Sequence, residues 1–176
     1  MKTIRNRAAR AFSLYLQHVF RIGVPLPRRE VESRIDIASS AEHVWSVLTD
    51  TAAYSVWNPF ICELTGPLEV GQRITVSLGK EAKTGRMVFH PRVITLRPGR
   101  RLRWIGRLWG LPGFFTGIHD FEILDTGKGV SFRQKEIFSG VFLWIYDVEP
   151  VCAEFARMNE ALKIRVEASS PPLVMP

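Results

Sequence analysis

One stretch of the sequence, residues 117–138, constrains the fold more than any other, because it predicts a β-hairpin with polar side chains on an apolar face. Its centre, residues 125–129, is short and contains two glycines, which is typical of a hairpin loop. Side chains alternate between the two faces of a strand. One face of the first arm is therefore predicted to hold Gly117, His119, Phe121 and Ile123, and the matching face of the second arm Val130, Phe132, Gln134, Glu136 and Phe138.

The apolar members of this face predict that it points inward, and His119, Gln134 and Glu136 point inward with them. Three registers keep the inward faces matched, since a change of turn moves the pairing by two residues. With a two-residue turn at Gly127-Lys128, His119 faces Glu136. With the other turns it faces Gln134 or Phe138. Buried polar groups need partners or water, so each register is more typical of a wet cavity than of a packed core.

The net charge of +7 is concentrated near the N-terminus. Residues 1–29 contain seven Lys and Arg and no acid, which leaves 17 of the 24 basic residues to balance the 17 acidic residues of the remaining chain. A nucleic-acid-binding domain usually carries a basic face of its own. We therefore expect no nucleic-acid partner for the rest of the chain.

Residues 4–22 predict a basic amphipathic helix, since apolar residues recur at helical spacing with arginines opposite. Three roles remain open: packing on its own domain or a partner, lying on an anionic membrane surface, or targeting an organelle. Gln17 and His18 interrupt the apolar part, so a secretory signal is not predicted. No apolar run approaches the roughly 18 residues of a membrane span. We expect a cytoplasmic protein, with peripheral membrane contact through this helix as one alternative.

The sequence contains no pattern that predicts a metal or a cofactor. Cys62 and Cys152 are far apart and are expected to be free, partly buried thiols. No His, Cys and carboxylate spacing fits a metal site. A Gly-rich phosphate loop and a nucleophile elbow are also missing from the sequence.

The rest of the chain predicts a strand, two helices, six consecutive antiparallel strands and a long last helix. Residues 30–38 alternate as a strand does, and Ser39 or Ser40 is expected to cap the helix that follows. Residues 86–96 predict one long strand, in which Pro91 indicates a bulge or an edge. The last helix is expected to end near Ala168, with its apolar positions at Val151, Phe155, Met158, Leu162 and Val166.

Arginines alternate along residues 100–108, at Arg101, Arg103 and Arg107. They could form a phosphate-binding patch, but polar-out alternation is routine for a one-sided sheet, so a solvated sheet face is the favoured interpretation. Residues 109–115, which are aromatic and interrupted by Gly and Pro, predict an irregular loop over a cavity.

Several short motifs occur in an order and spacing that resemble the START-like, SRPBCC superfamily, within its polyketide cyclase/dehydrase group. The resemblance covers residues 30–168 and leaves out the N-terminal helix. It is carried by residues 35–45, Trp57-Asn58-Pro59-Phe60, Gly71, Met87-x-Phe89-x-Pro91-x-Val93, Leu102-x-Trp104 and Gly117-x-His119-x-Phe121.

This resemblance implies an α+β helix-grip fold, in which a curved antiparallel sheet wraps around a long C-terminal helix. The sheet and the helix are expected to enclose a cavity for an apolar small molecule such as a lipid or a polyketide. The chain is thus expected to comprise three units: a basic N-terminal helix and linker over residues 1–29, the START-like domain over residues 30–168, and a flexible tail over residues 169–176.

Three functions agree with the resemblance: a carrier or sensor of an apolar ligand, a cofactor-free cyclase or dehydratase, and a protein-interaction or co-chaperone module. The enzyme would use His119 and Glu136 as an acid/base pair, because a carboxylate beside imidazole favours proton transfer near neutral pH. The same side chains could instead orient the polar end of a ligand, which is the favoured role. The expected ligand-binding residues are Trp57, Met87, Phe89, Trp104, Trp109, His119, Phe121, Phe132, Gln134, Glu136, Phe142, Phe155 and Met158.

Overall fold

The structure is a computed structural model that describes residues 25–79, 87–108 and 113–169. The predictions for residues 4–22, for Trp109 and for residues 170–176 of the tail lie outside these ranges. In chain order the strands are β1 (Arg28–Ile37), β2 (Ile61–Thr65), β3 (Thr75–Leu78), β4 (Met87–Phe89), β5 (Arg92–Arg97), β6 (Arg101–Arg107), β7 (Thr116–Asp125) and β8 (Val130–Ser139). The α-helices are α1 (Ala41–Thr49), α2 (Tyr54–Trp57) and α3 (Glu149–Ser169).

The strands form two hydrogen-bonded sheets, one in the order β1-β8-β7-β6-β5 and one in the order β2-β3-β4. All neighbouring strands are antiparallel. The long helix α3 packs along β1, and α1 packs against α3. This arrangement is the α+β helix-grip fold that the sequence predicts.

The single long strand predicted over residues 86–96 is wrong. The segment breaks at His90 and Pro91 into β4, which pairs with β3, and β5, which pairs with β6. Proline has no amide hydrogen to donate to a ladder, and its ring fixes φ. The Pro91 carbonyl instead accepts a hydrogen bond from the Ile74 amide at 3.0 Å. Seven strands rather than six therefore follow the helices.

Helix α1 begins where the sequence predicts a cap, and Ser40 rather than Ser39 is that cap. The Ser40 Oγ accepts a hydrogen bond from the His43 amide at 3.2 Å, which satisfies one of the free donors of the first turn. Val44 and Leu48 are the buried residues of the helix. Their spacing of four places both side chains on the face that meets the core.

The turn after α2 is held by Asn58, which is completely buried. Its Oδ1 accepts hydrogen bonds from the amides of Phe60 at 3.0 Å and Ile61 at 2.8 Å. These bonds satisfy two backbone donors where the chain leaves the helix and enters β2. They also fix Phe60 and Ile61 against the interior of the sheet.

Helix α3 supplies one wall of the core. Its buried residues are Phe155, Met158, Asn159, Leu162 and Val166, at the spacing of one helical face. Asn159 is the polar exception, and its Nδ2 donates to the Ser33 Oγ at 3.1 Å. Burial of each large apolar side chain contributes about 1.5–3 kcal/mol, so this face stabilises the grip of the sheet on the helix.

The outer face of the five-stranded sheet carries an ion-pair network. Arg101 donates to both oxygens of Asp120, from Nε at 2.9 Å and from Nη2 at 2.5 Å. Arg103 lies 3.5 Å from the same carboxylate, and Arg133 pairs with Glu122. The hydrogen bond to Asp120 raises the pKa of Arg101. Two of the three alternating arginines thus have acidic partners, as a solvated sheet face requires.

Candidate functional site

A cavity of about 330 Å³ lies between the two sheets and the first turns of α3. Most of its lining is apolar and comes from strands that face each other across the gap. The side chains that shape it include Phe60, Val76, Phe89, Trp104, Phe138 and Phe142. Pockets of this composition bind small molecules by burying apolar surface and use a few polar groups to fix orientation.

Two glycines leave space on the floor of this cavity. Gly106 of β6 and Gly117 of β7 are cross-strand partners, and both line the cavity. A Cβ at Gly106 would have only the Pro91 Cβ within 4 Å, at 3.7 Å. A Cβ at Gly117 would collide with the Oε1 of Glu136. The absent side chain at Gly117 therefore makes room for a carboxylate.

His119 and Glu136 are directly opposite each other on β7 and β8, which is the register of the two-residue turn. The His119 Nδ1 lies 3.3 Å from the Glu136 Oε2. The His119 side chain is 5% exposed and that of Glu136 17%. The carboxylate is thus the more accessible member of the pair, and both line the cavity.

The other ring nitrogen of His119 faces a buried amide. Its Nε2 lies 3.1 Å from the Gln134 Nε2, and the same Gln134 nitrogen lies 3.5 Å from the Met158 Sδ. With the amide donating, His119 Nε2 is an acceptor and the ring proton lies on Nδ1, directed at Glu136. Gln134 is completely buried, and within the described structure its Oε1 has no hydrogen-bond partner.

Aromatic side chains pack around the His119 ring. Its centroid lies 5.1 Å from that of Trp104, 4.5 Å from that of Phe121 and 5.0 Å from that of Phe155. These contacts fix the ring plane, and the two polar partners occupy both nitrogens. A ligand in the cavity can therefore reach the carboxylate of Glu136 more readily than either ring nitrogen of His119.

The predicted ligand-binding residues fall into two groups. Those that line the cavity are Met87, Phe89, Trp104, His119, Glu136 and Phe142. The remaining described ones lie in or against the packed core rather than on the cavity wall: Trp57, Phe121, Phe132, Gln134, Phe155 and Met158. These residues pack in the core, where Phe155 and Met158 are contributed by helix α3 itself, and a ligand would contact them only by displacing that packing.

Several lining residues were missing from the predicted set. Phe138, Gly117 and Gly106 stand on the predicted inward faces of their strands, so side-chain alternation was a signal for them. Phe60, Val76 and Tyr146 line the cavity only because the second sheet and the segment before α3 fold over it. Strand periodicity contains no information about that closure.

Neither a metal site nor a membrane-spanning segment is found among the described residues. No group of three or more His, Cys, Asp and Glu side chains there could hold a metal ion. None of the described helices is long and apolar enough to cross a membrane.

Residues 28–167 match the sequence profile of one protein family, described as polyketide cyclase / dehydrase and lipid transport. The chain belongs to this family. The match covers the whole helix-grip fold, from β1 to the last turns of α3. A search of curated proteins found no match.

Solved structures with the same fold include proteins of different activities. An aromatase/cyclase from a Streptomyces species aligns with a TM-score of 0.65 and 14% identity, covering 84% of this chain and 99% of its own. Norcoclaurine synthase from Thalictrum flavum, in complex with dopamine and hydroxybenzaldehyde, aligns with a TM-score of 0.62 and 15% identity over 84% and 91%. A Chromobacterium violaceum protein aligns with a TM-score of 0.66 and 18% identity over 78% and 96%. At these identities the similarity establishes the fold alone.

Proposed function

We propose that this protein binds an apolar small molecule in the 330 Å³ cavity and acts as its carrier or sensor. The observation that carries the proposal is the Glu136 carboxylate on the floor of a largely apolar cavity, whose other lining carboxylate, Glu154, forms an ion pair with Arg157. The family, whose description includes lipid transport, and the shared fold support it. The ligand would have an apolar body and a hydrogen-bond donor such as a hydroxyl group.

Glu136 is placed to hold such a donor. Its Oε2 accepts from the His119 ring, and its Oε1 lies over Gly117 without a side chain in the way. A hydrogen bond to a charged group contributes about 1.5–3 kcal/mol, more than a neutral bond. The carboxylate would thus select ligands with a donor, while the surrounding aromatic rings supply most of the affinity.

The groups that surround the His119 ring favour ligand binding without catalytic turnover. A general acid must reach the substrate with the atom that gives the proton, and a general base with the atom that accepts it. Here the two ring nitrogens face Glu136 and Gln134, and aromatic rings surround the rest of the ring. His119 is therefore better placed to position the carboxylate than to transfer a proton itself.

The proposal can be tested with Nile red, a neutral apolar dye, and with native mass spectrometry of the purified protein. We expect dye binding and a co-purifying apolar molecule in the wild type. Both should be lost in Gly106→Phe, which adds a side chain to the cavity floor. Ile94→Phe, which introduces the same residue at an exposed position of β5, is the control and should bind normally. A folded wild type that binds neither dye nor any co-purifying molecule would contradict the proposal.

A second candidate function, a cyclase or dehydratase, is favoured by the carboxylate itself. Aldol-type cyclisation requires a base to remove a proton next to a carbonyl group, and dehydration requires an acid for the leaving hydroxyl. In this fold Glu136 would be that base and acid, and His119 would position it. Both side chains line the cavity, so a bound polyketone would lie within their reach.

This second candidate predicts turnover as well as binding. A poly-β-ketone would be cyclised by the wild type, and Glu136→Ala would abolish turnover while Nile red binding is kept. His119→Ala should reduce turnover as well, since it frees the carboxylate to rotate. Binding of the ketone without conversion by the wild type would exclude the enzyme and leave the carrier.

A further inference from the structure

A second, basic cleft of about 560 Å³ lies on the outer side of the gap between the two sheets. Three arginines and one histidine line it: Arg73, His90, Arg92 and Arg107. Its other lining residues are apolar, and no acidic residue is among those described. Arg101 and Arg103, in contrast, form ion pairs with Asp120.

Arg73 and Arg92 are brought together by the backbone. They form an isolated antiparallel bridge, so their side chains leave the sheet on the same face. Like charges directly opposite each other on a sheet are destabilising. Yet none of the ion pairs in the described part of the chain includes Arg73, Arg92 or Arg107.

Arg107 completes the cluster from the neighbouring strand. Arg92 pairs with Ile105 on β6, and Arg107 stands two residues further along that strand, on the same face. The Arg73 Nη1 donates to the His90 carbonyl at 3.1 Å, which holds this guanidinium beside the cleft. The His90 Nδ1 lies 3.2 Å from the Thr75 Oγ1, which fixes the ring.

The basic cleft and the apolar cavity share a wall. Phe89, Arg107 and Leu108 line both. This shared wall lies between β4, which pairs with β3, and β6, which pairs with β5 and β7, and in the described chain no strand pairing joins β4 to β6. Arg107 is exposed and stands at the border.

We propose that the cleft formed by Arg73, His90, Arg92 and Arg107 binds the anionic group of an amphiphile, a phosphate or a carboxylate, whose apolar part occupies the cavity. Guanidinium groups bind both anions through paired N–H donors. An anion would also remove the repulsion between Arg73 and Arg92. The inference rests on the proposed ligand binding in the cavity and assigns the ligand a negatively charged end.

The test compares three probes by isothermal titration calorimetry: dodecyl phosphate, dodecanol and inorganic phosphate. We expect dodecyl phosphate to bind the wild type about tenfold more tightly than dodecanol, because charged hydrogen bonds add to the same apolar contacts. The double variant Arg73→Gln/Arg92→Gln, at two residues that line the cleft but not the apolar cavity, should lose this advantage and keep dodecanol binding. Arg97→Gln/Arg100→Gln, with the same charge change at exposed positions outside the cleft, should keep it.

Each other outcome overturns the inference in a different way. Equal affinity for dodecyl phosphate and dodecanol would contradict the proposed anion site but not the proposed binding of apolar ligands in the cavity. Inorganic phosphate bound as tightly as dodecyl phosphate, with loss in the cleft variant, would show a site for free anions instead. Failure of both dodecyl probes to bind would contradict the proposed cavity function as well.

Discussion

The backbone of Gly117 and the carboxylate of Glu136 share one space on the cavity floor, because a Cβ on Gly117 would occupy the position of Glu136 Oε1. Gly117 lies on β7 and Glu136 on β8, two residues from direct pairing with it. The absence of a side chain at Gly117 therefore allows the Glu136 carboxylate to turn toward His119.

Gly117→Ala is expected to move the Glu136 carboxylate away from His119 while the fold is kept. Gly117 has no positive φ, and the colliding atom is the end of a flexible side chain, so the change in stability should stay below about 1 kcal/mol. Nitrogen NMR of the His119 ring should report loss of the Nδ1 hydrogen bond. Gly106→Ala, whose Cβ has room, should leave the His119 signals unchanged. Unchanged signals in Gly117→Ala would contradict the steric account.

Asn58→Ala is expected to lower the free energy of unfolding by about 2–3 kcal/mol, because it leaves the partly buried amide of Phe60 and the buried amide of Ile61 without an acceptor. Asn159→Ala is the matched control. Asn159 is equally buried but bonds only to the rotatable Ser33 hydroxyl, so its loss should cost less. Urea denaturation of both variants checks this, and equal losses would argue against a special role for the turn.

Asp120→Asn is expected to destabilise the fold by about 1–3 kcal/mol, because Arg103 loses its charged partner on the outer face and Arg101 keeps only Glu122, at 3.7 Å. Asp120 is nearly buried, and the arginines are about a third exposed, so water screens part of the loss. Asp125→Asn, at the exposed end of the same strand, should have little effect, since its side-chain oxygen can still accept from the Gly127 amide. Thermal melts of the two variants at low salt separate these outcomes.

Stability is expected to fall at alkaline pH because of Tyr54. This residue is completely buried, its hydroxyl donates to the Leu48 carbonyl at 2.6 Å, and burial raises its pKa well above the usual range. An unfolded tyrosine loses its proton near about pH 10, whereas the folded Tyr54 keeps it. Unfolding therefore releases a proton above that pH, so the free energy of unfolding decreases as pH rises and is unaffected below it.

The measurement is urea denaturation at pH 8 and at higher pH, for the wild type and for Tyr54→Phe. The variant should be about 1 kcal/mol less stable at pH 8, because the hydrogen bond is lost. It should also lose less stability than the wild type as the pH is raised. If the wild type and Tyr54→Phe lose equal free energy of unfolding as the pH is raised, Tyr54 is not the source of the alkaline destabilisation.

The order of the predicted elements and the resemblance to a known family were enough to predict the helix-grip fold. Strand alternation, which sets the faces of the hairpin, predicted the inward position of His119 and Glu136. It left three registers open, since all of them match the inward faces. Local turn bonds select one: the Thr126 amide donates to the Gly129 carbonyl at 3.0 Å, and the Asp125 Oδ1 accepts from the Gly127 amide at 2.8 Å. These bonds centre the turn on Gly127-Lys128, which pairs His119 with Glu136.

Two features of the site could not be predicted from periodicity. Alternation continues through Pro91, so the segment is compatible with one strand, although each half pairs with a different sheet. Phe121 and Phe132 share the inward face with His119, but α3 packs over them and leaves the space near Gly106 and Gly117 open. Both outcomes depend on contacts between segments far apart in the chain.

The central claim, that Glu136 selects a donor group on an apolar ligand, is tested most directly by the affinity ratio of two matched probes. 2-Naphthol carries a hydroxyl donor, and 2-methoxynaphthalene has a similar apolar body with that donor blocked. We expect the wild type to bind 2-naphthol about tenfold more tightly, and Glu136→Gln to reduce that ratio while its affinity for 2-methoxynaphthalene is kept. Equal affinities in the wild type, or a preference that Glu136→Gln leaves unchanged, would contradict the account.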